Sequence, residues 1–132
     1  MTILVLPMPQ KNPLKELLVK LKENGYIRGI ATNRTNTMEK VLEDFHLEGY
    51  FEVVMTAAKV KKPKPDPEQL LLIIEKFNLQ PDEILFIGDS EYDSQAAVSA
   101  KTRFVAFKNS GLVADFNVDS MDEIAGILQI NQ

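Results

Sequence analysis

Two aspartates stand four positions apart in the stretch FIGDSEYDSQAA, residues 86–97, directly after an apolar run. If that run is a buried strand and a helix begins just after it, Asp89 and Asp93 lie about one helical turn apart and can face the same point. Two carboxylates at one point need a cation, and hard oxygen ligands with room for water and phosphate suit Mg²⁺. The pattern therefore predicts a Mg²⁺ site formed by Asp89 and Asp93.

The same motif has a second interpretation that needs no ion. Asp89 and Ser90 are residue types that cap the N-terminus of a helix, and Asp93 is an acid of the kind that the helix dipole favours in the first turn. On this motif alone, both interpretations stay open.

Two other stretches offer groups that suit a phosphate. Thr32 and Asn33 close the predicted strand YIRGIAT, where a hydroxyl and nearby backbone N–H groups fit a phosphate oxygen. In the loop KVKKPKPDPE, prolines stiffen the chain around Lys62, so this lysine can be aimed at the same edge. We expect Lys61 and Lys64 to belong to a solvated basic loop.

The order of the predicted elements decides whether these residues can meet. Apolar runs typical of strands alternate with amphipathic runs typical of helices. The strands are predicted over 2–6, 26–32, 51–57, 83–88 and 103–107, with a short one near 115–118, and the helices over 12–25, 36–47, 68–79, 92–100 and 121–129. This alternation indicates a parallel sheet covered on both faces, with ligands at the carboxyl ends of its strands. We predict one α/β domain over residues 1–132, a three-layer, doubly wound, Rossmann-like sheet.

Composition excludes several classes of protein. The 15 Lys and Arg against 19 Asp and Glu give a net charge of −4, so no overall positive field is available for nucleic acid or an anionic membrane. No cysteine is present, which excludes disulfides and thiolate metal sites. No apolar stretch approaches the roughly 20 residues that a membrane span needs. We expect a cytoplasmic monomer or homodimer.

Together, the motifs resemble the haloacid dehalogenase (HAD) superfamily, in particular its phosphoglycolate-phosphatase-like branch. GIATN (29–33) matches the second motif, KKPKPD (61–66) the lysine loop GKPxPD, with Lys61 in place of the glycine, and GDSEYDSQAA (88–97) the fourth motif. The resemblance implies a Mg²⁺-dependent hydrolase of small phosphorylated metabolites. It implies that Thr32 and Asn33 bind a phosphoryl oxygen, that Lys62 neutralises the phosphate and the nucleophile, and that Asp89 and Asp93 hold the metal.

The family's first motif is an aspartate nucleophile at the end of the first strand, with a second aspartate two residues later. This sequence has neither, since its first aspartate is Asp44, within the second predicted helix. Val5 and Pro7 take the two acid positions, and neither side chain can attack phosphorus. We therefore expect hydrolysis to be lost or much impaired. The alternative is a pseudoenzyme or fragment that binds metal and phosphate or serves as a protein-interaction module.

The cap domain that many relatives insert between the first and second motifs is also missing from the sequence. The two explanations are a fragment or internal start, and a degenerate capless relative. In either case, we expect the apolar run TILVL to fill the central slot of the sheet, because its neighbours would otherwise leave backbone N–H and C=O groups unpaired. Failing that, a partner chain would supply this strand.

Overall fold

The computed structural model describes residues 3–6 and 14–128, and for residues 3–6 and Leu14 it describes the backbone alone. Its strands are β1 (Ile3–Leu6), β2 (Ile27–Ala31), β3 (Val53–Met55), β4 (Ile84–Gly88), β5 (Arg103–Phe107) and β6 (Phe116–Val118). Its helices are α1 (Leu14–Glu23), α2 (Met38–Asp44), α3 (Glu68–Phe77), α4 (Glu91–Ala100) and α5 (Met121–Ile127). Pro7, one of the two positions discussed for the missing acids, lies outside the described residues.

The six strands form one sheet in the order β3-β2-β1-β4-β5-β6, and all five neighbouring pairs are parallel. Parallel neighbours require crossover connections, and helices lie between successive strands as far as β5. The prediction of a doubly wound α/β sheet is confirmed. The strand order changes direction beside β1, and the carboxyl ends of the strands at such a point are where these sheets bind ligands.

The first strand lies in the middle of the sheet, as the sequence predicts. It pairs with β2 on one side and with β4 on the other, so that Val5 stands opposite Gly29 and Phe86. The backbone N–H and C=O groups on both edges of β1 therefore have partners within the chain. No partner chain is needed to supply this strand.

Strand residues alternate between two cores, one on each face of the sheet. Leu85 and Ile87 of β4 pack into the first core with α1 and α5, whereas Ile84 and Phe86 pack into the second with α3 and α4. Because β4 is buried along its whole length, the residues that follow it are held at a fixed position on the rim. None of the helices in residues 14–128 is long and apolar enough to cross a membrane.

Candidate functional site at the carboxyl rim

The start of α4 fixes both aspartates of the GDSEYD stretch. Ser90 is the N-cap of the helix, and its Oγ accepts a hydrogen bond from the N–H of Asp93 at 3.1 Å. In return, Oδ2 of Asp93 accepts from the N–H groups of Ser90 and Asp89, each at 3.2 Å. This reciprocal arrangement is a capping box, so the helix-capping interpretation of Ser90 and Asp93 is confirmed.

The last residue of β4, Gly88, makes room for this cap. A Cβ atom added at Gly88 would lie 2.5 Å from Cβ of Asp93 and 2.7 Å from its Oδ2. Such distances are far below van der Waals contact, so any larger residue at position 88 would displace Asp93. The glycine of the motif is therefore required by the close approach of Asp93 to the strand end.

The second carboxylate oxygen of Asp93 binds a lysine. Nζ of Lys64 lies 2.6 Å from Oδ1 of Asp93, and it also donates to the carbonyl of Ala31 at 2.9 Å. The ammonium lies 5.5 Å from the centre of the Phe86 ring. Lys64 and Asp93 are 7% and 2% exposed, so this is a buried ion pair that joins the loop before α3 to the ends of β2 and β4.

The positions of Lys62 and Lys64 bear on two predictions about the loop. Lys64 is buried at the rim, and the expectation that it belongs to a solvated loop is wrong. Lys62, which the sequence assigned to phosphate, is exposed instead. The backbone N–H groups of Lys61 and Lys62 bind the carboxylate of Glu68 on α3, which fixes this part of the loop at the surface two residues before the buried lysine.

Asn33 holds the backbone of Lys64 rather than standing free. Its Nδ2 donates to the carbonyl of Lys64 at 2.9 Å, and its Oδ1 accepts from the N–H of Lys64 at 3.0 Å. The side-chain amide therefore both donates to and accepts from the main chain of Lys64. The structure thus shows Asn33 holding the main chain of Lys64, and its contact with a phosphoryl oxygen stays a prediction.

Thr32 lies beside this cluster, at the end of β2. Thr32 is 5% exposed, and its Oγ1 accepts a hydrogen bond from the N–H of Arg34 at 3.2 Å. A threonine hydroxyl also carries one proton that it can donate. Since Lys64 binds the carbonyl of Ala31, the residue before Thr32, the structure brings Thr32 and Lys64 together, whereas the sequence analysis expected Lys62 beside Thr32.

Asp89 and Asp93 differ in what they offer a metal ion. Both oxygens of Asp93 have protein partners, since this carboxylate pairs with Lys64 and caps α4, and its role as a metal ligand stays a prediction. Asp89 is exposed, and its carboxylate has no partner among the described residues. Its backbone is held on both sides, by Asp93 and by Asn109, whose Nδ2 donates to the carbonyl of Asp89 at 3.1 Å.

The residues fit a Mg²⁺ site with a single protein carboxylate. Residues 3–6 and 14–128 contain no group of three or more acidic, histidine or cysteine side chains that could enclose a metal. Mg²⁺ is commonly held by one or two carboxylates, with waters and substrate phosphate as its other ligands. Asp89 suits such a site because its carboxylate oxygens are uncommitted.

Sequence reasoning missed Gln69, the second residue of α3. The side chain is fully buried, and it contacts the backbone of three segments at the rim: Thr32, Met55 and Lys64. The signal available in the sequence was a lone amide at the start of an otherwise apolar run, EQLLLII. A glutamine there is ordinary for a helix end, so the residue type alone did not reveal its contacts.

Comparison with known proteins identifies the family. The family model of haloacid dehalogenase-like hydrolases matches residues 8–107, which is most of the chain. The chain belongs to this family. The HAD fold and the phosphoglycolate-phosphatase-like motifs are thus confirmed.

Individual relatives agree with this assignment. Phosphoglycolate phosphatase of Salmonella choleraesuis (strain SC-B67) is 37% identical over 86 residues, which are 64% of this chain and 34% of that protein. A HAD-superfamily hydrolase of subfamily IA from Geobacter sulfurreducens PCA superposes with a TM-score of 0.84 at 42% identity, over 89% of this chain and 55% of that one.

A third relative, solved as a predicted phosphoglycolate phosphatase from Haemophilus somnus 129pt, also has a TM-score of 0.84, at 30% identity, over 90% of this chain and 57% of that one. This HAD chain therefore spans between about a third and little more than half the length of these relatives.

Proposed function

We propose that this HAD chain binds phosphate monoesters at the carboxyl rim of its sheet and, as it stands, hydrolyses them at a negligible rate. The contacts of Lys64 are the observation that supports phosphate binding. An ammonium has three N–H donors, and the described residues provide two acceptors, the carbonyl of Ala31 and the carboxylate of Asp93. The remaining donor, with the hydroxyl proton of Thr32, suits a phosphoryl oxygen.

The charges at the rim argue that phosphate binding depends on a divalent cation. Asp93 neutralises Lys64, and Asp89 adds a second negative charge that no described residue pairs. An anionic phosphate would therefore meet a net negative group of three side chains. A Mg²⁺ ion on Asp89 would supply the missing positive charge and polarise the phosphoryl group. The family resemblance and the free carboxylate of Asp89 support this part of the proposal.

The end of β1 argues for the loss of turnover. The first acidic side chain in the sequence is Glu16 in α1, and the first aspartate is Asp44 in α2. Neither belongs to β1 or to the residues that directly follow it. Covalent phosphoryl transfer needs a nucleophile placed in line with the leaving group, and electrostatic groups alone do not provide one. We therefore favour a binding module over an active phosphatase, with a small phosphorylated metabolite as ligand, in keeping with the names of the phosphatase relatives.

Phosphate titration tests the binding function. Inorganic phosphate should bind the purified chain in the presence of Mg²⁺, and Lys64→Met should weaken it about tenfold or more, because a hydrogen bond to a charged group contributes about 1.5–3 kcal/mol. Lys62→Met is the matched control, since Lys62 is exposed two positions earlier. If Lys62→Met weakens binding and Lys64→Met does not, the site is assigned to the wrong lysine.

Turnover is tested with a generic aryl phosphate in the presence of Mg²⁺. We expect no release of the aryl alcohol above the rate without protein. A rate that persists through purification and disappears in Asp89→Asn would overturn the proposal that this chain is inactive. The Asp89→Asn variant distinguishes turnover by this site from a contaminating phosphatase.

A further inference from the structure

Gln69 joins the segments that carry the candidate phosphate ligands. Its Nε2 donates to the carbonyl of Thr32 at 2.7 Å and to the carbonyl of Met55 at 3.3 Å. Its Oε1 accepts from the N–H of Lys64 at 3.3 Å. One side-chain amide on α3 therefore connects the ends of β2 and β3 to the loop that contains the buried lysine.

The core does not account for a polar side chain at this position. The next residue, Leu70, and Ile73, one turn along the helix, are fully buried in the apolar core, and Gln69 is fully buried as well. Burying an amide is unfavourable unless its donors and acceptor have partners, and an apolar residue would fill the same volume without that requirement. The amide is explained by the backbone groups that it binds.

Of the three residues whose backbone Gln69 binds, Thr32 depends most on this hydrogen bond. The carbonyl of Met55 also accepts from the N–H of Thr32 at 3.0 Å, and the N–H of Lys64 also binds Oδ1 of Asn33 at 3.0 Å. The carbonyl of Thr32 has Gln69 as its hydrogen-bond partner among the described residues. Without the amide, the peptide after Thr32 would lose its anchor, and the backbone of Lys64 would be held from the Asn33 side alone.

We propose that Gln69 is a positioning residue that fixes the backbone of Lys64 relative to Thr32, and thereby sets the spacing of the ammonium and the hydroxyl that receive phosphate. The proposal rests on the phosphate-binding function proposed above. Gln69 itself does not touch the ligand. It acts through the two residues that do, and Asn33 also binds the backbone of Lys64, at its N–H and at its carbonyl.

The test begins with a variant that preserves the packing. Gln69→Met keeps an unbranched side chain of similar length in the first turn of α3 and removes every hydrogen bond of the amide. Gln95→Met is the matched control, because Gln95 is an exposed glutamine of α4 whose amide contacts Glu91 on its own helix. Circular dichroism and thermal unfolding establish that both variants are folded at the temperature used.

The first measurement reports on Lys64 without any ligand. Acetylation of individual lysines by a small anhydride, followed by mass spectrometry, gives a rate for the amine of Lys64. We expect this rate to rise about fivefold or more in Gln69→Met, which corresponds to the loss of about one hydrogen bond, and to stay unchanged in Gln95→Met. Exposed Lys62 serves as the internal reference. An unchanged rate at Lys64 in folded Gln69→Met would overturn the proposal.

The second measurement is a double-mutant cycle on the affinity for inorganic phosphate with Mg²⁺ present. Gln69→Met should weaken binding about fivefold in the wild-type background and less than twofold in the Lys64→Met background, because the spacing no longer matters once the ammonium is gone. Equal effects in both backgrounds would show a general loss of structure and would contradict the proposal. If wild type binds no phosphate, the proposed function fails, and the acetylation rate alone decides the role of Gln69.

Discussion

Nζ of Lys64 lies 2.6 Å from Oδ1 of Asp93, and the two side chains are only 5% and 3% exposed. This buried ion pair connects the loop before α3 to the first turn of α4. It also determines the chemistry of the rim, because Asp93 is committed to Lys64 and to the cap of its helix. Of the two aspartates in the motif, Asp89 is the exposed one, and its carboxylate has no partner among the described residues.

Removing the buried carboxylate should therefore be costly. We expect Asp93→Ala to lower the free energy of unfolding by about 3–5 kcal/mol, because it leaves the other member of a buried ion pair, Lys64, without its partner. The control is the exposed pair Lys40–Asp44 on α2, for which Asp44→Ala should cost no more than about 1 kcal/mol. Urea denaturation measures both values. Equal losses in the two variants would show that burial of the Lys64–Asp93 pair has no energetic consequence.

Substitution of Gly88, the last residue of β4, should lower the stability of the chain. Gly88→Ala would place a methyl group 2.5 Å from Cβ of Asp93, and the displacement this requires should cost about 1–3 kcal/mol. Gly126 in α5 is the matched control, since a Cβ there has no atom within 4 Å and its backbone is helical. Gly126→Ala should stabilise the chain by about 0.4–1 kcal/mol. Thermal or urea unfolding should give effects of opposite sign, and effects of the same sign would contradict the account.

A second ion pair, at the opposite end of β2, predicts a dependence of stability on pH. Arg28 is 2% exposed, and its Nη2 lies 2.6 Å from Oε2 of Glu52. Partial burial acts to raise the pKa of Glu52, but the hydrogen bonds and positive charge of Arg28 outweigh it and hold this pKa below its ordinary value. The ionised carboxylate therefore contributes stability that is complete above the ordinary pKa and is lost as pH falls through the lowered one.

The variant Glu52→Gln tests the direction in which stability changes with pH. At neutral pH the variant should be less stable by about 1.5–3 kcal/mol, the contribution of a hydrogen bond to a charged group. The difference between wild type and variant should shrink as the pH falls below the ordinary range of a glutamate, because wild-type Glu52 then becomes protonated. Glu48→Gln, at an exposed position in the preceding loop, is the control for removing one negative charge. A difference that grows towards low pH would contradict the argument.

The sequence predicted the fold well because its evidence is local and repeated. Alternating apolar runs and amphipathic helices specify a parallel sheet, and TILVL was expected in the central slot that β1 occupies. The burial of Lys64 was not predicted, because Lys62 and Lys64 both precede a proline in KKPKPD, and spacing does not separate them. The outcome depends on long-range contacts, namely those of Asn33 with the backbone of Lys64 and of Gln69 with the carbonyl of Thr32. Such contacts leave no periodic pattern in the sequence.

The last prediction concerns the metal. Because Asp89 is the free carboxylate at the rim, Mg²⁺ should bind weakly to the chain alone and more tightly when inorganic phosphate is present, since phosphate supplies further oxygen ligands. By linkage, Mg²⁺ should raise the affinity for phosphate by the same factor. Isothermal titration calorimetry in both orders of addition measures this coupling.

The Asp89→Asn variant supplies the decisive comparison, because it removes the charge and keeps the shape of the side chain. It should weaken Mg²⁺ binding about tenfold and abolish most of the coupling to phosphate, while the free energy of unfolding changes by less than about 0.5 kcal/mol, as expected for an exposed residue. Asp82→Asn, at an exposed position before β4, is the control for the general effect of removing one negative charge. If Asp89→Asn and Asp82→Asn bind Mg²⁺ equally well, the metal does not bind at Asp89, and the phosphate pocket must function with Lys64 as its source of positive charge.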